Sequence, residues 1–296
     1  MTRALRIATR GSKLALVQTE RVVRLLGVPT ELVIVSTKGD RDTLAPIHAI
    51  GGTGVFTKEI QDAVLRNDAD IAVHSAKDLP SLTPDGLVIG AVPERDDVRD
   101  ALVGATLDEL PTGARVGTGA TRRRAQLAAE RPDLTFGELR GNIATRMDKA
   151  SEFGAVVVAM AAINRLGLSD RVAQILETSV MLPQVGQGAI AVECQSDDQD
   201  TLDTLAGIDN ARLHRVLNAE RAYLAELGGG CDLPCGALAS ESADGIISLE
   251  VLLANLDGSV VLRISDNGTD PEHLGHTLAR RLLDDHGGAL LLEDSR

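Results

Sequence analysis

Ile71-Ala72-Val73-His74-Ser75-Ala76-Lys77-Asp78-Leu79-Pro80 is a short apolar run that turns abruptly polar and is closed by proline. Ile71 and Val73 end a buried strand, and His74, Ser75, Lys77 and Asp78 form its exit. Ligands of open α/β sheets bind outside the carboxyl ends of strands, so a Lys-Asp pair at this place is set to meet a substrate. For an arbitrary Lys-Asp dipeptide the commoner reading is a solvated loop with a surface ion pair. The rest of the chain decides between the two.

Upstream, Leu5 to Thr9 reads as a strand and Arg10-Gly11-Ser12 turns it into a helix, with Ser12 as N-cap and Ala15, Val22, Leu25 and Leu26 on one face. Thr9, Arg10 and Ser12 cluster at that turn, where free helix N–H groups can hold an anion. Glu31 to Thr37 is the next strand. Gly51-Gly52-Thr53-Gly54 precedes a helix reaching about Leu65, and lacks the Gly-Lys-Ser/Thr ending of a nucleotide P-loop. A flap is expected there, with an inert glycine-rich turn as the alternative.

Downstream, Leu87 to Val92 is a strand and the charged run Pro93 to Asp100 reads as a hinge or domain crossing. A second α/β unit starts at Ala114-Arg115-Val116. Its strand ends in Gly117-Thr118-Gly119-Ala120 and enters a helix opening with Arg122-Arg123-Arg124. Glycines at the turn and arginines in the first helical turn suit an anion. Cations there oppose the helix dipole, which leaves a structural reason for them hard to find, although a solvated patch remains open. Leu134 to Leu139 is another strand, followed by Arg140-Gly141-Asn142 and a helix carrying Arg146, with Asn142 as its cap. Ala155 to Met160 is a buried strand leading to a helix that ends at Asn164-Arg165-Leu166-Gly167. Leu182 to Gly188 then runs into strand Ala189 to Glu193, which returns the chain to the first sheet. Beyond a long helix from Asp209 to Leu227, stopped by Gly228-Gly229-Gly230, come Cys231, a hairpin around Asp257-Gly258 and a helix from about Pro271.

The expected class is α/β: two doubly wound lobes and a small α+β C-terminal domain. Residues 1–94 and 189–207 make the first lobe, 98–186 the second, and 210–296 the small domain. At 296 residues the chain exceeds one core's usual size. Its 43 acidic and 30 basic residues, a formal charge of −13, disfavour general attraction to nucleic acid or anionic lipid. An anionic ligand therefore needs a local basic pocket. Three Phe, one Tyr and no Trp leave little for base stacking. No signal peptide and no run of about 20 apolar residues is visible, so the expectation is a cytoplasmic protein without a membrane partner. Cys231 reads as a buried structural thiol or as an accessible nucleophilic anchor beside its glycines, while a Cys-x-x-x-Cys pair with Cys235 lacks usual metal or redox spacing. No metal is expected, since His273 and His276 lack a third ligand.

Arg6-Ile-Ala-Thr-Arg-Gly-Ser12, Asp70 to Pro80, Arg140-Gly-Asn142, Val185-Gly-Gln-Gly188 and Gly229-Gly-Cys231 together resemble the porphobilinogen deaminases, in the right order from about Leu5 to Ala239. The resemblance implies lobes like those of type II periplasmic binding proteins. It implies a dipyrromethane cofactor joined by a thioether to Cys231, on which four porphobilinogen molecules are polymerised head to tail with loss of ammonia. Water then releases hydroxymethylbilane to a uroporphyrinogen-forming enzyme. By motif position Asp78 resembles the catalytic carboxylate. Ser12, Lys77, Asp78, Arg122, Arg123 and Arg146 resemble cofactor contacts, and Arg10, Arg140, Arg146 and Arg165 substrate contacts. Thr53, Gly119, Ala120, Asn164 and Cys235 depart from the residues usual in the family. A monomer is expected.

Two other readings stay open. One is a non-catalytic anion-binding protein on the same scaffold, since fold does not fix function. It has no use for Asp78 and Cys231. The other is a deaminase with Lys77 as a Schiff-base nucleophile.

Overall fold

The computed structural model describes residues 3–41, 54–229 and 233–293. The anticipated turn at Gly51-Gly52-Thr53 and the candidate anchor Cys231 lie outside the described residues.

Along the chain the strands are β1 (Leu5–Arg10), β2 (Thr30–Val35), β3 (Ile71–Ser75), β4 (Leu87–Ala91), β5 (Asp100–Val103), β6 (Arg115–Gly117), β7 (Thr135–Gly137), β8 (Ala155–Ala159), β9 (Gln174–Leu176), β10 (Ile190–Gln195), β11 (Cys235–Glu241), β12 (Ile247–Ala254) and β13 (Val261–Gly268). They form three sheets, ordered β2-β1-β3-β10-β4, β7-β6-β8-β5-β9 and β11-β12-β13. The first two share one pattern. Parallel strands occupy one side, and an antiparallel strand, β10 in the first sheet and β5 in the second, stands fourth in order. β10 follows the second sheet in sequence and β5 precedes that sheet's parallel strands, so each sheet borrows a strand from across the connection. Both are thus doubly wound α/β sheets with one strand order.

Two compact bodies result: residues 1–96 with 188–214, and residues 97–187 with 215–296. In the first, Ile7, Ile71, Val73, Ile190 and Val192 pack on one face of the sheet. Ala8 and Ala72 pack on the other, against Ile60 and Val64 of the helix Lys58–Leu65. Strands covered on both faces read as largely apolar runs, as β3 and β10 do but for His74 and Glu193. Ser12 caps the helix Lys13–Leu26 by accepting from the Ala15 N–H, and Gly27 ends it in the left-handed conformation. That helix departs in part from its expected face: Val22 is buried as expected, but Leu25 is exposed, and Gln18 and Thr19 are buried as well. Thr9 is also not part of a turn cluster. It is fully buried and its hydroxyl accepts from Thr19 at 2.8 Å.

The second body holds the other two sheets. Asp100, expected to close a charged connecting run, is the buried first residue of β5, pairing with Ala159 and Leu176. The small antiparallel sheet covers one face with the helices Ala211–Glu226 and Pro271–Asp284. Tyr223, Val251, Leu274 and Leu278 lie in that core. It is tied to its neighbour by Ala237 N–H to Pro183 O at 3.0 Å and by Arg263 to the carbonyls of Thr178 and Ser179. The buried Glu220 carboxylate accepts from the backbone N–H groups of Gly186 and Ala239 at 2.8 and 2.9 Å.

Candidate active site

β3 ends at Ser75, and residues Ala76–Asp78 continue as one turn of 3₁₀-helix. The tight turn follows from the sequence: Leu79 is buried and Pro80 cannot continue a helix. It brings half-buried Asp78 to the carboxyl end of the sheet. There an open recess is lined by Asp78, Ser75, His74, Arg10, Ser12 and Phe56, with Gln18 and Thr57 beside them. The β1 exit and the β3 exit thus converge, as parallel neighbouring strands must. Of the anticipated residues the recess unites Arg10, Ser12 and Asp78; Lys77 lies in the same turn but is not part of its lining.

The recess has a polar rim. Gln18 donates to the Ser75 hydroxyl at 2.8 Å, and that hydroxyl donates back to the Gln18 amide oxygen at 3.1 Å. Beneath it, His74 Nε2 lies 3.0 Å from Glu193 Oε2, both side chains being almost wholly buried, without the alignment of a hydrogen bond. Gln61 donates to both Glu193 oxygens, at 3.1 and 3.0 Å. Neither Gln61 nor Glu193 was foreseen. The signal was there: one charged residue inside the apolar run Ile190 to Cys194, and one imidazole inside Ile71 to Ser75.

Arg10 is more constrained than its place in the sequence suggests. Its Nε and Nη2 donate to Asp40, which also accepts from the Thr37 hydroxyl at 2.8 Å. The guanidinium carbon stands 4.3 Å from the centre of the Phe56 ring. Burial pushes the Asp40 carboxyl upward, but the bonds from Arg10 and Thr37 outweigh it and leave it below the usual range.

In the second body, Arg122 and Arg123 open the helix Thr121–Glu130 and are both buried. The missing structural reason for them is Asp100. Arg122 Nη2 reaches one of its oxygens at 2.8 Å, and Arg123 Nη2 and Nε reach the other at 2.7 and 3.1 Å. Arg122 Nη1 bonds Leu182 O at 2.6 Å and Arg123 Nη1 bonds Val157 O at 2.9 Å, while the buried Arg122 Nε meets no hydrogen-bond partner among the described residues. Gln187 adds a bond to Asp100 at 3.1 Å. Two guanidinium groups thus share this carboxylate. Burial pulls the Arg122 pKa down from its ordinary value, Asp100 works against that, and Arg123 adds to it.

The other anticipated cations of this body are placed by local caps and turns. Asn142 caps the helix Ile143–Asp148 by accepting from Thr145 N–H at 3.0 Å, and half-buried Arg146 donates to Gly141 O at 2.7 Å. Arg140 is half-buried at the bend after β7, which ends at Gly137 rather than Leu139, and its carbonyl accepts from Lys149. Arg165 is buried in the helix Met160–Leu166, which Gly167 terminates. Among the described cysteines, Cys194 and Cys235 are both buried, and burial raises the Cys194 thiol to about 11. Among the described residues no group of three or more His, Cys, Asp or Glu gathers as metal ligands, and no helix is long and apolar enough to cross a membrane.

A family model described as the dipyromethane cofactor binding domain of porphobilinogen deaminase matches residues 5–203, and one for its C-terminal domain matches residues 215–284. A porphobilinogen deaminase of Roseiflexus sp. is 45% identical over 302 residues, covering 98% of this chain and 99% of that protein. Those of Acidithiobacillus ferrooxidans and Brevibacillus brevis are 44% and 43% identical, covering 100% and 97% of this chain and 99% and 96% of theirs. Among solved structures, an arginine-specific periplasmic binding protein of Salmonella typhimurium is similar at 13% identity and a TM-score of 0.39, over 70% of this chain and 92% of that one. On the strength of the two domain matches and the full-length relatives, the chain belongs to the porphobilinogen deaminase family.

Proposed function

We propose that this chain is a hydroxymethylbilane synthase: a transferase that deaminates porphobilinogen and joins four molecules head to tail for tetrapyrrole biosynthesis. The observation that carries the reading is Asp78 at the β3 exit, a carboxylate sharing a recess with Arg10 and Ser12. The substrate has one pyrrole N–H and two carboxylates. A cationic side chain for the carboxylates and an anion for the N–H are the complement it requires.

The donor set also fits a dipyrromethane cofactor, whose rings bear the same carboxylates. Bound, that group supplies the free ring carbon on which the chain grows. Ser12, Lys77, Arg122, Arg123 and Arg146 are the residues we assign to holding it, with Cys231 as its thioether anchor. The burial of Cys194 and Cys235 supports that choice, since a thiol without access is a poor nucleophile, and burial also raises the pKa of Cys194. Arg10, Arg140, Arg146 and Arg165 take the carboxylates of incoming substrate.

Asp78 does the chemical work. Its carboxylate accepts the pyrrole N–H and stabilises the positive charge that develops on the ring as the carbon–nitrogen bond breaks and ammonia leaves. When the new carbon–carbon bond forms, the displaced ring proton passes to Asp78. Each cycle consumes one porphobilinogen and releases one ammonia. The product is taken up by a uroporphyrinogen-forming enzyme, and the working form is a cytoplasmic monomer.

Intact mass of the purified chain tests the assignment. We expect an excess equal to two porphobilinogen units less two ammonias, absent from Cys231→Ala and present in Asp78→Asn, whose turnover falls by about a thousandfold or more. A chain that stays unmodified after incubation with porphobilinogen or hydroxymethylbilane would remove the synthase reading. Normal turnover by Asp78→Asn would remove Asp78 from the chemistry.

A further inference from the structure

Arg10 reaches the recess with part of its guanidinium already committed. A guanidinium has two edges that fit a carboxylate: the side edge, Nε with Nη2, and the end edge, Nη1 with the second Nη2 proton. Asp40 occupies the side edge through both Nε and Nη2. Nη1 meets no hydrogen-bond acceptor among the described residues, so the end edge is what Arg10 offers a ligand.

The groups that hold Arg10 are themselves built in. The Asp40 carboxylate accepts from the Thr37 hydroxyl at 2.8 Å and from the Thr37 N–H at 3.2 Å. Thr37 is fully buried. Phe56 covers one face of the guanidinium, and the same ring lies against Gly39, where an added Cβ would stand 2.2 Å from it. Gly39 N–H further bonds Val55 O at 3.2 Å. Residues 37–40 and 55–56 therefore form one bracket, clamped on Arg10 from its edge and its face. An unclamped arginine of four rotatable bonds would lose that freedom on meeting each substrate.

We propose that Asp40, Thr37 and Phe56 are positioning residues for Arg10, holding its plane so that a pyrrole carboxylate is received end-on. The inference rests on Arg10 being a substrate contact. It distinguishes two behaviours. A bracket that aims Arg10 favours substrate binding, so breaking it raises KM. A carboxylate that merely competes with substrate for Arg10 does the reverse.

The test compares steady-state kinetics with porphobilinogen for Arg10→Lys, Asp40→Ala, Asp40→Asn, Phe56→Leu and the Arg10→Lys/Asp40→Ala pair. Each protein is first checked by intact mass for the bound pyrrole pair and reloaded with porphobilinogen where it is missing. Asp40→Ala is expected to raise KM about tenfold, a larger factor than any fall in kcat. Asp40→Asn, which still accepts one N–H, should recover part of the loss. The paired variant should be no worse than Arg10→Lys alone, because both changes act through one contact. Phe56→Leu breaks the bracket without touching the charge and should raise KM in the same sense, which serves if Asp40→Ala does not fold. KM unchanged or lowered in Asp40→Ala and Phe56→Leu, with Arg10→Lys still impaired, overturns the bracket and leaves Arg10 a substrate contact. KM unchanged in Arg10→Lys overturns both.

Discussion

Asp100 illustrates what a single side chain decides in this molecule. It is fully buried on β5 and satisfies Arg122 and Arg123, which otherwise would place two cations at a helix N-terminus inside the protein. Breaking a buried ion pair by removing one partner leaves the other charge uncompensated. Asp100→Asn keeps the shape and removes the charge, so we expect it to destabilise the second body by about 3–5 kcal/mol, read as a lower denaturant midpoint. A wild-type midpoint in Asp100→Asn would mean that the backbone carbonyls of Leu182 and Val157 suffice. At this scale the sequence was legible where chemistry follows a strand exit directly. Asp78, Arg10 and Ser12 could be placed together because parallel strands end on the same side. It was not legible where a partner is distant. Asp100 stands 22 residues from Arg122, and Gln61 stands 132 residues from Glu193, with no local pattern to connect them. For the same reason the sequence did not show that Arg122 and Arg123 share a protein carboxylate.

Elements were legible in proportion to their length. The helices Lys58–Leu65 and Pro271–Asp284 and the strands β3, β8, β10 and β12 carry enough residues to display a period or an unbroken apolar run. β6, β7 and β9 have three residues each, too few to show alternation, and β9 was not foreseen at all. Helix faces were read less well than helix positions, because the period shows where apolar residues recur but not that Gln18 and Thr19 find buried partners. Gly275 shows how packing between two helices overrides propensity. It lies in the interior of Pro271–Asp284, where glycine costs about 1 kcal/mol relative to alanine. Yet an added Cβ would stand 2.4 Å from Ala219 O and 2.7 Å from the Ala222 Cβ on the helix Ala211–Glu226. The missing side chain is what lets the helices approach. Gly275→Ala should therefore destabilise the small domain by about 1–3 kcal/mol despite its better helix propensity, measured by denaturant unfolding. A gain in stability would show that the two helices can separate at little cost.

The whole chain is organised by leaving its first sheet after β4 and returning as β10, and that excursion was legible because the strand Ala189 to Glu193 is too apolar to be a surface segment. What the sequence did not show is that the small domain shares a body with the second sheet, since the contacts involved are backbone bonds such as Ala237 N–H to Pro183 O. The charge balance adds a global prediction. Asp70 precedes β3 and binds β1: it accepts from Arg6 N–H at 2.8 Å and pairs with Arg6 and Arg3 at 2.7 and 2.6 Å. Burial pushes its carboxyl up, and these bonds outweigh burial, leaving the pKa below the ordinary value. Asp40 is lowered in the same body. In the second body Asp97 is lowered, chiefly by its bonds from Arg99. A carboxyl whose folded pKa lies under the unfolded one stabilises fully above the unfolded value, near 4, and loses that contribution as pH falls through the folded one. Stability should therefore hold from pH 7 to about 5 and decline in both bodies below about 4. With 43 acidic against 30 basic residues, mild acid first lowers the net charge and relieves repulsion, so a decline there reports the ion pairs. Denaturant midpoints from pH 7 to pH 3 test this. Asp70→Asn should start lower at pH 7 and fall less on acidification, and an equally steep fall would place the acid-sensitive groups elsewhere.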